Sequence, residues 1–182
     1  YRDVASQTCL GVIPARYASS RFPGKPLVKI DGIPMIKRTY LQAKKSSLLT
    51  DVIVATDSDE IIEYCDKENL SVIKTSMHHL TGTDRICEVA KKMDYDWYIN
   101  IQGDEPFVSG EDIDNLIKAA YQNLSNYHVY NMFYPVESTE DVDSPNMIKA
   151  VIDNKSELIY MSRHCIPFVK DQKQRSTLLK QI

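Results

Sequence analysis

Three cations, Arg16, Arg21 and Lys25, fall within ten residues of the segment Ile13-Pro14-Ala15-Arg16-Tyr17-Ala18-Ser19-Ser20-Arg21-Phe22-Pro23-Gly24-Lys25-Pro26-Leu27. Pro14, Pro23 and Pro26 keep this stretch out of helix, and Gly24 permits close backbone approach. The cations can therefore converge on one polyanion, with the Ser19 and Ser20 hydroxyls as phosphate contacts. The predicted chemistry is phosphate binding by an unfamiliar loop. No Gly-Lys-Ser/Thr follows four residues after a first glycine, and the three spaced glycines of a dinucleotide fingerprint are missing.

A second candidate is Gln102-Gly103-Asp104-Glu105-Pro106, directly after the apolar run Trp97 to Ile101. A carboxylate at the end of a buried strand is well placed to hold Mg²⁺ against phosphate oxygens, and Asp104 is the preferred ligand. The alternative is an acidic turn in which Gly103 and Pro106 reverse the chain. A third candidate, Thr81-Gly82-Thr83-Asp84-Arg85, offers a glycine and hydroxyls to a nucleobase or ribose. Equally, Thr83 or Asp84 can cap the helix that follows, with Arg85 solvated in its first turn. His78 and His79 are adjacent, so they do not share a helical face, and a zinc site is rejected. No GxSxG context surrounds Ser19 or Ser20.

These segments need elements to hold them. Cys9 to Ile13 reads as a buried strand; Met35, Ile36, Tyr40 and Ala43 recur at helical spacing; Asp51 to Thr56 reads as a second strand. Asp57 with Glu60 resembles a capping box opening a helix through Ile61, Ile62 and Cys65. A strand over Ser71 to Thr75 follows, then a helix with Ile86, Val89, Ala90 and Met93. After the strand Trp97 to Ile101, Ile113, Leu116, Ile117, Ala120, Tyr121 and Leu124 mark an amphipathic helix. Val129 to Val136 reads as a further strand. Ile148 to Ile152 and Leu158 to Met161 read as a pair joined at Asn154-Lys155. The alternation predicts an α/β layer fold.

Composition limits the partners. The 182 residues, 43% hydrophobic and 26% charged, fit one soluble domain, and a net charge of −3 disfavours nucleic acid while leaving room for a small anionic ligand. Cys9, Cys65, Cys87 and Cys165 form no CxxC pair and are expected to be buried thiols, which points to a reduced, cytoplasmic setting. No apolar stretch is long enough to span a bilayer and no leader is evident, so no membrane partner is expected.

The run Ile13 to Leu27, the strand end Val54-Ala55-Thr56-Asp57, Thr81 to Arg85, Gln102 to Pro106, Pro145-Asn146 with Lys149, and Ser162-Arg163 with Ile166-Pro167 stand in one order along the chain. This ordered set resembles the 3-deoxy-manno-octulosonate cytidylyltransferases, the CMP-KDO synthetases, over nearly the whole length. The resemblance implies a three-layer α/β nucleotidyltransferase fold of the GT-A type with a central mixed sheet. It also implies CTP as donor, the acidic sugar KDO as acceptor, Mg²⁺ as cofactor, a homodimer, and a role in lipopolysaccharide or related glycan synthesis.

Carried over position by position, the family pattern places the CTP phosphates on Arg16, Ser19, Arg21 and Lys25, and the cytidine near Ala15 and Thr81, Gly82, Thr83 and Arg85. Asp104 becomes the Mg²⁺ ligand, and Arg16, Lys25 and Asp104 the catalytic set. Gln102 and Arg163 would face the sugar acid, Arg163 by bidentate pairing with its carboxylate. Lys149 is either near the site or a lysine snorkelling from a strand edge. The family continues past Leu178-Leu179-Lys180-Gln181-Ile182, so residues 1–182 are expected to be a single nucleotidyltransferase domain lacking its C-terminal part, with a second metal-binding aspartate beyond it. Gln181 stands where many of these synthetases have a histidine near the sugar. That difference leaves a related ulosonic acid open as acceptor, beside a catalytically silent nucleotide-binding protein as a rival reading.

Overall fold

The computed structural model describes residues 7–17, 22–123, 127–135, 142–168 and 170. The sequence reads as one domain; the structure divides into two compact units, 1–130 and 131–182. The first is built on a sheet of β1 (Cys9–Ala15), β4 (Asp51–Thr56), β5 (Val72–Lys74) and β6 (Trp97–Asn100), in the order β5-β4-β1-β6. Between β1 and β4 come a small hairpin, β2 (Lys29–Ile30) with β3 (Ile33–Pro34), and helix α1 (Met35–Ala43). Helix α2 (Asp59–Lys67) joins β4 to β5, α3 (Gly82–Lys92) joins β5 to β6, and α4 (Gly110–Gln122) follows β6.

Side chains alternate across β1 and β4, and this produces the layers. Cys9, Ile13, Ala15, Val52 and Val54 point into a core shared with Ile36 and Tyr40 of α1, Ile61 and Cys65 of α2, and Ile113 and Ile117 of α4. Leu10, Val12, Ile53 and Ala55 point the other way, onto Ile86 and Val89 of α3. A sheet covered on both faces needs nearly continuous apolar strands, which these two have. All three pairings within this sheet are parallel. The expected mixed sheet is thus corrected to a parallel one among the described residues, because each connection between its strands is a helical crossover.

Two local expectations also change. Helix α2 is capped by Ser58, whose side chain accepts from the Ile61 amide at 3.2 Å, not by Asp57. Residues 129–135 form no strand. Only Tyr130 among them is half-buried, its ring edge-on to Trp97 at 5.9 Å between centroids, so no alternating face exists to be covered. Leu124 and Val136 lie outside the described residues. Of the cysteines, Cys9 and Cys65 are buried thiols, whereas Cys87 is exposed one position off the buried stripe of α3 and Cys165 is half-buried.

The second unit contains the antiparallel pair β7 (Lys149–Ile152) and β8 (Leu158–Ser162), as the sequence pattern predicts. Most of its described apolar side chains are exposed, among them Ile148, Leu158, Ile159, Tyr160 and Met161.

Candidate functional site

From β1 the chain moves to β4 and β5 on one side, then returns to place β6 on the other side of β1. In open parallel sheets, ligands bind outside the carboxyl ends of the strands at such a reversal. A cleft of about 190 Å³ lies there, lined by Ala15 and Arg16 from the end of β1, Lys25, Met35, and Gln102 and Asp104 from beyond β6.

Pro14 is compatible with β1 because of where β6 stops. The Val12 carbonyl accepts from the Ile101 amide at 2.9 Å, so even-numbered residues of β1 turn their backbone groups toward β6. The last residue of β6, Asn100, pairs with Val12, and Pro14 therefore meets no strand where its N–H is missing. The loop after β6 fills that space. A Cβ on Gly103 would lie 2.9 Å from the Pro14 carbonyl oxygen, so only glycine fits, and the close approach sets Asp104 beside the end of β1.

Lys25 is aimed by the turn before it. Gly24 has φ +73°, a conformation that favours glycine, and its amide donates to the Tyr17 carbonyl at 2.9 Å. A single 3₁₀ turn, Lys25–Leu27, starts there and carries the Lys25 ammonium to 2.8 Å from Asp104 Oδ2. The two side chains are 43% and 54% exposed, so the pair is screened and worth no more than about 1 kcal/mol. A phosphate on Lys25 and a cation on Asp104 can separate them at small cost. Beside it, the Glu105 carboxyl is pushed above its ordinary value, first by burial and then by the Asp104 charge.

Arg16 meets a different support. Its guanidinium donates to the His79 carbonyl. The His79 ring contacts Glu88 Oε2, which also accepts from the Ser76 amide at 2.8 Å, while Glu88 Oε1 takes Lys92 Nζ at 2.6 Å. At the start of α3, Thr81 is the N-cap and forms a capping box with Asp84, so the cap falls on Thr81 and not on Thr83 or Asp84. Gly82 packs against the Pro14 ring, with 3.2 Å from an added Cβ to Pro14 Cγ, and Thr83 is exposed.

Arg85 is not solvated. It is wholly buried, donates to Thr75 Oγ1, and places Nη2 2.9 Å from Asp57 Oδ1, an ion contact off-line for a hydrogen bond. Its Nε has no hydrogen-bond partner among the described residues. Burial lowers its affinity for the proton, and the Asp57 charge opposes that. The placement makes Arg85 a strut joining β4, the end of β5 and α3, beneath the loop that Arg16 contacts.

The structure thus brings Ala15, Arg16, Lys25, Gln102 and Asp104 to one cleft. Ser19 and Arg21, expected beside them, lie outside the described residues, as does Gln181. In the second unit, Lys149 is buried and donates to the carbonyls of Ser144, Met147 and Arg163 at 2.6–2.9 Å, so it does not snorkel. Burial of an ammonium requires that its donors be satisfied. Arg163 donates to the Pro145 carbonyl at 3.0 Å. Asp57, His79 and Glu88 were missed as supporting residues, because their partners lie 9 to 63 positions away or across the sheet, beyond any local pattern.

A family model described as Cytidylyltransferase matches residues 10–182. The chain is 42% identical to a 3-deoxy-manno-octulosonate cytidylyltransferase of Acaryochloris marina, over 90% of this chain and 66% of that protein. A mitochondrial protein of the same name from Arabidopsis thaliana is 43% identical, over 90% of this chain and 57% of its own length. Among solved structures, a CMP:2-keto-3-deoxy-manno-octonic acid synthetase complexed with CTP superposes with TM-score 0.80 and 33% identity, covering 92% of this chain and 68% of that one. The chain therefore spans less than two thirds of the length of these two curated relatives. With its parallel sheet and its cleft between β1 and β6, it belongs to the cytidylyltransferase family, among the 3-deoxy-manno-octulosonate cytidylyltransferases.

Proposed function

We propose that the protein joins CTP to KDO, giving CMP-KDO and diphosphate. The observation that carries this reading is the convergence of Arg16, Lys25 and Asp104 on one cleft at the carboxyl ends of β1 and β6. The anomeric hydroxyl of the sugar attacks the α-phosphorus of CTP in line, its proton passing to water, and diphosphate leaves with the electron pair of the broken P–O bond. Arg16 and Lys25 meet the charge that grows on the phosphate oxygens, and Gln102 faces the acceptor. No covalent enzyme intermediate is required. Thr83, exposed at the start of α3, and the backbone around Gly82 would meet the cytidine. Arg163 is the proposed partner of the sugar carboxylate.

Asp104 would hold Mg²⁺. One exposed carboxylate facing the cleft suits an ion that takes one or two carboxylates and completes its shell with phosphates and water. Among the described residues no group of three or more histidine, cysteine or acidic side chains could hold a metal alone. When bound, the ion supplies charge neutralisation at the phosphates.

The homodimer belongs to the same reading. A two-stranded hairpin is marginal alone, and the exposed apolar side chains of β8, with Ile148 just before β7, are suited to a second copy. A cytoplasmic setting belongs to the same proposal and agrees with the free thiols Cys9, Cys65 and Cys87; no described helix is long and apolar enough to cross a membrane. The glycan made from the product would be lipopolysaccharide or a related polymer.

The deciding experiment is diphosphate release by the full-length protein with CTP, UTP and ATP against a panel of sugar acids, alongside light scattering for mass. Release with CTP and KDO well above the other pairs is expected. Equal release with UTP or ATP would remove the base specificity, a different preferred acid would reassign the acceptor, and no release with any pair would favour a silent nucleotide-binding protein.

A further inference from the structure

Arg16 leaves β1 as a long side chain at the rim of the cleft, and a flexible guanidinium is useful only if something fixes its direction. The fixing group is the backbone carbonyl of His79, 63 residues further along the chain. That carbonyl belongs to the connection between β5 and α3, which carries no regular structure of its own from Thr75 to Leu80. One side chain ties this connection to the helix. Glu88, on the first two turns of α3, accepts from the Ser76 amide at 2.8 Å and contacts the His79 ring through the same oxygen, Oε2. Its other oxygen accepts from Lys92 Nζ at 2.6 Å, one turn along α3. Ser76 and His79 bracket the connection, so a single carboxylate sets the position of both ends of the segment.

We propose that Glu88 and His79 are positioning residues that aim the Arg16 guanidinium at the bound phosphates. The inference rests on Arg16 being a phosphate ligand, as in the function proposed above. Glu88 does not line the cleft, and it acts through the His79 carbonyl. Lys92 holds the carboxylate on its helix so that its second oxygen faces the loop.

The test is a double-mutant cycle in the full-length protein on Arg16→Ala and Glu88→Ala, with Glu88→Gln as the conservative variant. Two readouts are used: binding of inorganic triphosphate by calorimetry, and KM for CTP against kcat in diphosphate release. Glu88→Ala is expected to weaken triphosphate binding and raise KM for CTP, each by about tenfold, with Glu88→Gln intermediate. In the Arg16→Ala background the same change is expected to add nothing, because it acts through a side chain already gone. Thermal melts give the folded fraction, and affinities are taken per folded molecule. If Glu88→Ala leaves binding unchanged, or weakens it equally with and without Arg16, the proposal is overturned. Failure of the functional reading looks different: no diphosphate release by the wild-type protein, while the non-additivity in triphosphate binding remains.

Discussion

Two arginines flank the same loop and are used in opposite ways. Arg16 is at the rim of the cleft, half-buried, and its described contact is a neutral carbonyl; Arg85 is wholly buried, with Asp57 and Thr75 around it. A guanidinium held by a carbonyl keeps its charge available to a polyanion, whereas one facing a carboxylate in a low-dielectric interior has its charge compensated already. The rim and the platform under it therefore differ in what each residue contributes. Substitutions at the rim should act on turnover, and substitutions of the Asp57–Arg85 pair beneath it should act on stability.

The largest effect is expected in the platform. Asp57→Ala leaves the Arg85 charge buried without its counter-ion, and breaking such a pair costs about 3 kcal/mol or more of folding stability. Urea unfolding followed at Trp97 measures it. A loss under 1 kcal/mol would mean that Thr75 alone compensates Arg85, and the contrast between the two arginines would weaken.

Next in size comes Asp104→Asn, the largest effect at the rim. The side chain is 54% exposed, so the fold should be retained, while metal-dependent turnover of the full-length protein falls by about a hundredfold, as when a group acting mainly in the transition state is lost. Steady-state kinetics over a Mg²⁺ titration, beside a thermal melt, decide it. Near-normal activity at limiting Mg²⁺ would move the metal to Glu105 or to residues beyond this chain.

The sequence shows the rim far better than the platform. Arg16, Lys25 and Asp104 stand next to strand ends, prolines and glycines, and the chemistry of these neighbours indicates that their side chains are not core. Strand β4 and helices α1 and α4 were equally readable, since Val52, Val54, Ile113 and Ile117 follow plain periodicities. The Asp57–Arg85 and His79–Glu88 pairs could not be read so, because nothing local marks an arginine as buried or a glutamate as a loop anchor. Asp57 looked like a helix cap because Ser58, the true cap, is its neighbour. The hairpin of β2 and β3 does have a local mark: Asp31-Gly32, with φ +47° and +79°, is a tight-turn pair between Lys29-Ile30 and Ile33-Pro34.

Lys25→Ala sharpens the comparison at smaller scale. It removes one phosphate cation and also frees Asp104 from the ammonium at 2.8 Å. Turnover is expected to fall by roughly tenfold to a hundredfold with an unchanged melt, since the exposed pair contributes little to stability. Mn²⁺ binding to the nucleotide-free protein, followed by electron paramagnetic resonance, should tighten in the same variant. A lower melting temperature without loss of turnover per folded molecule would place Lys25 in the platform instead.

The smallest effect concerns pH. The Glu88 carboxyl is held down to about 2 from an ordinary 4.5, first by Lys92, then by the Ser76 amide and the His79 ring. A carboxylate whose pKa falls on folding stabilises the fold above its unfolded value, and that stabilisation disappears as the pH drops through the folded one. Wild-type protein should therefore melt higher than Glu88→Gln at pH 7 and still do so at pH 5. The gap should close between about pH 4.5 and pH 2, where Glu88 takes up its proton. Comparing the two proteins at each pH cancels the other carboxylates, which titrate alike in both. Equal melting of the two proteins at pH 7, with no gap to close at lower pH, would show that Glu88 supports the loop through shape and neutral hydrogen bonding alone. The anchor under Arg16 would then be neutral in effect, and the charged member of the platform would be the Asp57–Arg85 pair.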